Sequence, residues 1–305
     1  MTVSETRLRT RLTEGRVSRR EPLALRPKKG IALRLKIRTV AVTAAVTPVL
    51  AVPSAAAAAT VIASGSSAEQ PVLTALFAGY AKVHRNVHFV YTADGGNAGV
   101  KDVQQRRSQF AVNTRAPLPS DSGTVQYKLF LDGLCVAVNK ANSVSNVPLT
   151  RAANIFLGVF TSWSQVSGSG LTTTIDPIGR NSAAGSYTFF QQAVLKGQTQ
   201  ASNVEQLSSD GLVATAIKHD KNAIGYVGLA HAGKSSGIKT VKLNGVACNA
   251  TQIKSQKYPL TRFIWGVLSL KHPNSAAAQF FDWVRTSSAA GKIVAKSAVP
   301  AFNKK

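Results

Sequence analysis

An α/β fold is what this sequence predicts, and three observations carry that expectation. Short runs rich in β-branched and aromatic residues alternate with segments whose apolar residues recur at helical spacing. The junctions are turns of Gly, Ser and Asn, the pattern of strand-end loops opening along one edge of a sheet. The chain has 305 residues, 44% of them hydrophobic, which is enough to bury a substantial core. These figures exclude wholesale disorder and a disulfide-built miniprotein.

In chain order, residues 61–63 read as a short buried strand, followed by a turn over 64–67. From 69 to 84 the apolar residues Val72, Leu73, Leu76, Phe77 and Tyr80 return every three or four positions, which predicts a helix. Residues 87–91 are strand-like, Gly95-Gly96-Asn97 is a turn, 99–107 a short helix and 110–113 a further strand. A longer strand at 134–139 opens a second series: helix 151–157, strand 174–179, helices 186–195 and 209–219, and strands 224–227 and 237–243. The chain closes with a strand at 262–270 and helices at 275–285 and 290–296. No solenoid repeat appears, and no linker separates the two series. Two interleaved lobes and two consecutive domains both fit this pattern.

Residues 1–59 predict an export signal. Twelve basic and three acidic residues fall in 1–38, an uncharged apolar run follows at 39–52, and five alanines stand at 55–59. The run is short for a bilayer span, rich in Ala and Thr, and interrupted by Pro48. Cleavage is expected near Ala59, and no Cys lies there to form a lipobox. The protein is therefore expected to be exported, either periplasmic or secreted.

Charge narrows the partner. The whole chain carries 37 Lys and Arg against 13 Asp and Glu, a formal balance of +24. Beyond residue 59 the count is 25 against 10, so basicity belongs to the mature part as well. Such a skew predicts an anionic partner: an oxyanion such as phosphate, a nucleic acid or an acidic polymer. An exported chain meets no chromosome and little ATP, so nucleic acid is not the expected partner. Cys135 and Cys248 would enter an oxidising compartment, where either a disulfide or two buried thiols fits the sequence.

Catalytic and cofactor motifs fare poorly. Gly228 to Ser235 fits the pattern GxxxxGK[ST], but that motif needs a helix opening at the Lys-Ser pair. Here Ser236 and Gly237 follow, and then a β-like run. The five His are scattered with no HExxH pattern, and His84 and His88 flank a switch to strand. Carboxylates are too sparse for an evident acid/base couple. No enzyme activity, metal or cofactor is expected.

The stronger signal is a set of hydroxyl- and glycine-rich turns that each open a helix. Ser64-Gly65-Ser66-Ser67 precedes the first, Gly95 to Gly99 the second, and Ala184-Gly185-Ser186 the third. A helix start exposes unpaired N–H groups and a partial positive charge, so it attracts oxyanions. Three converging starts would cradle a tetrahedral anion. Arg180 would add a bidentate contact, and Thr114, at a strand end, a further hydroxyl. Singly, each is an ordinary cap or turn residue.

These residues carry a resemblance. Residues 61–299 resemble the PstS-like phosphate-binding proteins of ABC-type phosphate uptake, within the type 2 periplasmic binding proteins. The matching blocks are Ile155 to Gly158 with Trp163, Ile178-Gly179-Arg180, Ala184-Gly185-Ser186 before Phe189-Phe190, Asn222 to Val227, Lys257 to Arg262, and Phe280 to Val284. The resemblance implies two α/β lobes, each a mixed sheet flanked by helices, with the ligand in the cleft between them. The first lobe would take 60–134 plus 258–305, and the second 135–257. It implies ligand contacts from Ser67, the Ala68 N–H, Asn97, Thr114, Arg180, Ala184, Gly185 and Ser186, with Arg180 as the only cation. Ala184 stands where the family has Ser and keeps only its N–H. Thr114 stands where high-affinity relatives have Asp, so no carboxylate is evident to accept the proton of hydrogen phosphate. The implied function is a monomeric, non-enzymatic receptor for inorganic phosphate or a similar oxyanion that docks on a membrane permease. The rival expectation is a secreted, basic protein of the same fold that binds acidic polymers.

Overall fold

The computed structural model describes residues 59–166, 168–233 and 237–302; the predicted leader, apart from Ala59, lies outside them. Among the described residues no helix is long and apolar enough to cross a membrane.

The first part of the chain builds a parallel sheet edge. Strand β1 (Ala59–Gly65) leads through a serine turn into helix α1 (Gln70–Ala81), and β2 (Val87–Thr92) into α2 (Gly96–Gln104) and β3 (Phe110–Asn113). β1 lies between β2 and β3 and pairs with both in parallel. The fully buried β3 (Phe110–Asn113) suits a strand covered on both faces. Phe77, Tyr80, Phe89, Phe110 and Phe280 pack as one aromatic cluster, with Phe77 stacked on Phe89 at 4.6 Å. The C-terminal helices α8 (Ser275–Thr286) and α9 (Ser288–Val294), described with the second series below, close this core.

The second series starts on β4 (Thr124–Asn139), a 16-residue strand. There follow β5 (Asn146–Val147), α3 (Leu149–Phe156), β6 (Asp176–Arg180), α4 (Gly185–Ala193), β7 (Glu205–Leu207) and α5 (Asp210–His219). Next come β8 (Ala223–Gly228), α6 (Leu229–Ala232), β9 (Ile238–Thr240), β10 (Lys242–Leu243), α7 (Ala250–Lys254) and β11 (Thr261–Ser269). β6 runs parallel to both β7 and β8, and β8 is antiparallel to β4. The core here gathers Ile155, Phe156, Trp163, Phe190, Ile224 and Tyr226, with Phe190 stacked on Tyr226 at 4.2 Å.

One strand joins the two halves. Residues 124–133 of β4 pair with β11, and Leu134 to Val138 pair with β8. The sheet order is therefore β2-β1-β3-β11-β4-β8-β6-β7, with β9 also on β4. The returning chain crosses beside it: Tyr258 donates its hydroxyl to Leu134 O at 3.1 Å, and Leu134 N donates to Leu260 O at 3.0 Å. Cys135 and Cys248 are joined in a disulfide with Cα atoms 5.6 Å apart, so the oxidised alternative holds. It ties β4 to the segment leading into α7, beside this double crossing.

The α/β expectation holds, with local differences. The strand expected at 134–139 extends ten residues further towards the N-terminus, as β4. The single strand expected at 237–243 is two short ones, because Val241 N turns to donate to Val136 O. The GxxxxGK stretch carries its helical turn at Leu229–Ala232, ahead of the lysine, and Ile238 already begins β9. Residues 234–236 lie outside the described residues.

Candidate functional site

The starts of α1 and α4 lie around one buried cluster of Arg180, Asp210, Arg262 and Asp132. α5, α7, α8 and α9 are capped by side chains of Ser209, Asn249, Asn274 and Ser287. α1 and α4 receive no side-chain cap, and Ala184, the N-cap of α4, has none to give. At α4 the first-turn N–H groups are therefore left without a side-chain acceptor, whereas at α1 Gln70 N donates to Ser67 O at 3.4 Å and Pro71 has no N–H to offer.

Glycine permits the close approach. A Cβ on Gly185 would lie 2.0 Å from Asn113 Oδ1 and 2.8 Å from Thr114 Oγ1, so α4 reaches the end of β3 only without a side chain there. Gly65 has φ near 130°, a conformation L residues rarely adopt, and a Cβ there would meet Val112 O at 2.3 Å. It turns β1 into the serine loop that carries Ser67 and Ala68, both buried.

Around these starts lie hydroxyls and charges. Ser67 Oγ donates to Asp210 Oδ2 at 3.1 Å and accepts from Asp210 N at 3.2 Å. Arg180, 1% exposed, donates through Nη1 to Asp210 Oδ2, through Nε to Leu207 O at 3.0 Å and through Nη2 to Ser208 O at 2.8 Å. Gly228 N donates to the other oxygen of Asp210 at 3.0 Å. On the opposite side, Ser186 Oγ lies 3.4 Å from Thr114 Oγ1 and accepts from Arg262 Nη1 at 2.8 Å. Arg262 also grips Asp132 Oδ2 through Nε at 3.0 Å and Nη2 at 2.8 Å, while Leu229 N donates to Asp132 Oδ1 at 3.1 Å. Burial pulls the Arg180 guanidinium down to about 10, which still leaves it charged at neutral pH.

Of the residues expected to contact ligand, Ser67, Ala68, Thr114, Arg180, Ala184, Gly185 and Ser186 come together here. Asn97 stands apart in its bonding. Its amide nitrogen donates to Ser182 O, Ala184 O and Thr188 Oγ1, and its oxygen accepts from Arg115 Nε. The N–H groups of Asn97 and Ala98 both donate to Ala183 O, so the first turn of α2 is occupied by the loop ahead of α4. Asn97 ties the start of α2 to the loop and first turn of α4, which leaves the α4 start and the serine loop ahead of α1 to face the centre.

Two expectations drawn from the sequence need correction. Arg180 is not the only cation at the centre, since Arg262 reaches Ser186 from β11. Nor are carboxyl groups lacking: Asp132, Asp210 and Glu69 are all buried there. The sequence gives little sign of them. Asp210 follows the cap Ser209, where an acidic residue ordinarily answers the helix dipole, and its partners stand 30 and 143 residues away. Asn113, beside Thr114, carries no such signal either; its Nδ2 is buried without a hydrogen-bond partner. Arg262 did carry a signal, as the last residue of one matching block.

Comparisons with known proteins bear on the family and the fold. A family profile described as a PBP superfamily domain matches residues 51–288. The phosphate-binding protein PstS of Borreliella burgdorferi is 25% identical over 235 residues, which cover 73% of this chain and 84% of the relative. The protein of the same name from Staphylococcus aureus USA300 is 24% identical over 237 residues, 72% of either chain. Among solved structures, a substrate-binding protein from Clostridium perfringens with bound phosphate superposes with a TM-score of 0.74 at 22% identity, covering 80% of this chain and 100% of the other. An ABC-type phosphate transport receptor from Vibrio cholerae gives 0.64 at 20% identity, covering 78% and 99%.

Proposed function

Because the chain belongs to the PBP superfamily, we propose that it is an exported solute-binding protein that takes inorganic phosphate, or a closely similar tetrahedral oxyanion, into the cleft between its lobes for ABC-type uptake. The observation that carries this reading is the convergence of the uncapped start of α4 and the serine loop ahead of α1 with three hydroxyls and two guanidinium groups at one buried centre. Helix N–H groups and hydroxyls stabilise an anion without adding full charges, while Arg180 and Arg262, each paired with a buried Asp, hold further N–H donors at the centre. The orphaned Asn113 Nδ2 is one more donor in want of an acceptor. The phosphate-binding relatives supply the chemical identity of the ligand.

In this reading a first lobe of 60–134 plus 258–305 and a second of 135–257 swing about the crossing of β4 and the 258–260 segment. A ligand that bridges both lobes favours the closed state, and closure presents a docking face to a permease. Ser67 and Thr114 come from one lobe and Arg180 and Ser186 from the other, which is what such bridging requires. Arg180→Ala should weaken phosphate binding at least tenfold, since a charge-assisted contact contributes about 1.5–3 kcal/mol. Titration calorimetry with phosphate measures this, and an unaltered affinity would remove Arg180 from the site.

A second reading, binding of acidic polymers at the surface, has its own support. Among the described acidic residues Glu69, Asp102, Asp121, Asp132 and Asp210 are buried, leaving the accessible surface more cationic than the composition. Steep salt-dependent retention on a polyanion, with no melting shift on adding phosphate, would favour it.

A further inference from the structure

Beside the crossing of β4 and the 258–260 segment lies a cavity of about 390 Å³, a volume in the range of small-molecule sites. Three aromatic residues line it, Phe189 from α4 and Phe263 and Trp265 from β11, together with Gln192 and Gln256. All three rings are half-buried, and Phe263 meets Trp265 edge to face with centroids 6.3 Å apart. Rings set in this way around a cavity offer their remaining surface to another flat group. Thr261 also lines the cavity, and its Oγ1 is buried without a hydrogen-bond partner. Such a hydroxyl is uncommon in a folded chain, and a ligand with a polar edge would satisfy it.

Two cations rest on these rings. Lys128 Nζ lies 4.4 Å from the centroid of Phe263 and 5.5 Å from that of Trp265. The Arg262 guanidinium lies 5.6 Å from the centroid of Phe189, but its charge is already paired with Asp132. Among the described residues no Asp or Glu lines the cavity, so Lys128 decides which sign of charge it favours. We propose that this cavity is a second binding site, for a flat aromatic anion such as an aromatic carboxylate, and that its occupancy is coupled to phosphate in the cleft. The site stands on the cavity alone, whereas the coupling rests on the phosphate reading and its division into lobes.

In that division the walls belong to different lobes. Thr261, Phe263 and Trp265 stand in the first, and Phe189, Gln192 and Gln256 in the second. A ligand touching both walls binds best while the lobes are in contact, as they are here through Ser67 on Asp210 and Asn97 on Ser182 O. Phosphate bridging the cleft favours the same state, so each ligand tightens the other by an equal factor. Arg262 and α4 join the two places physically. Arg262 Nη1 donates to Ser186 Oγ at 2.8 Å while its guanidinium lies over Phe189, and Ser186 and Phe189 are neighbours one turn apart on α4.

The test is calorimetric titration of the full chain with naphthoate, an aromatic carboxylate, and with its neutral amide, naphthamide, in the presence and absence of saturating phosphate. Wild type, Trp265→Ala and Lys128→Gln are compared, with thermal melting to confirm folding. Wild type should prefer naphthoate, and Trp265→Ala should weaken both compounds about tenfold. Lys128→Gln should lower the naphthoate-over-naphthamide ratio about fivefold; Lys128 is exposed, so this variant keeps the test alive if Trp265→Ala does not fold. Saturating phosphate should tighten naphthoate about tenfold in wild type. Failure of wild type to bind naphthoate, equal affinity in a folded Trp265→Ala, or an unchanged ratio in Lys128→Gln overturns the site. The same naphthoate affinity with and without phosphate, in protein that binds phosphate, overturns the coupling. Failure to bind phosphate overturns the reading of the cleft and the coupling with it, and leaves the site standing.

Discussion

A methyl group on residue 185 would have nowhere to go. Its carbon would meet Asn113 Oδ1 at 2.0 Å and the backbone N of Thr114 at 3.1 Å, so Gly185→Ala must displace the Asn113 side chain, with its hydrogen bond from Thr114 N, or shift α4. Overpacking of this kind typically costs about 1–3 kcal/mol. The variant should melt lower than wild type and bind phosphate more weakly, and melting curves with and without phosphate measure both. Wild-type affinity in Gly185→Ala would show that this approach is not needed for binding. Gly185 was legible in the sequence because turn and cap chemistry is local: a small residue ahead of a helix declares itself within four positions. Ser67, Thr114 and Ser186 were readable for the same reason. Asp132 and Asp210 were not, since what distinguishes them is a guanidinium or hydroxyl 30 to 143 residues distant. Glu69 was hidden differently, by the ordinary occurrence of acidic residues at helix starts, where most face water.

At the scale of elements, β4 is the part that sequence periodicity least revealed. Of its first residues, Thr124 to Gln126 are only partly buried and Tyr127 and Lys128 are exposed, while Gly133 interrupts the apolar run. That glycine marks a close approach: a Cβ there would sit 2.5 Å from Ile253 Cδ1 and 3.0 Å from Cys248 Sγ. α7 and the disulfide therefore press against β4 where it passes from one lobe to the other. The bond joins residues 113 apart in sequence. Loss of a native disulfide typically lowers stability by about 2–5 kcal/mol, much of it through the unfolded chain. The double variant Cys135→Ser with Cys248→Ser should unfold at lower denaturant by a margin of that size. An unchanged midpoint would mean that the crossing is held by Tyr258 and Leu260 alone.

Across the whole molecule, charge is sorted by depth. Arg115 pairs with Asp121, Arg180 with Asp210 and Arg262 with Asp132, all buried. The interior is thus largely compensated, while the surface keeps most of the lysines against few acids. A field of one sign draws small anions towards the protein and is screened by salt within about 10 Å at moderate ionic strength. The association rate of phosphate should therefore fall as sodium chloride rises, with a smaller change in dissociation rate; stopped-flow measurement across a salt series checks this. Composition announced the net charge, but only the fold shows which carboxylates are withdrawn from the surface.

The path of the chain has a mechanical corollary. In the proposed division into lobes, β1 opens the described chain in the first, and Val299, near its end, bridges back to Leu131 in the same one. A tether fixed at either end of the described chain would thus grip a single jaw, leaving its opposite number, held by β4 and the returning 258–260 segment, to swing without dragging the anchor along.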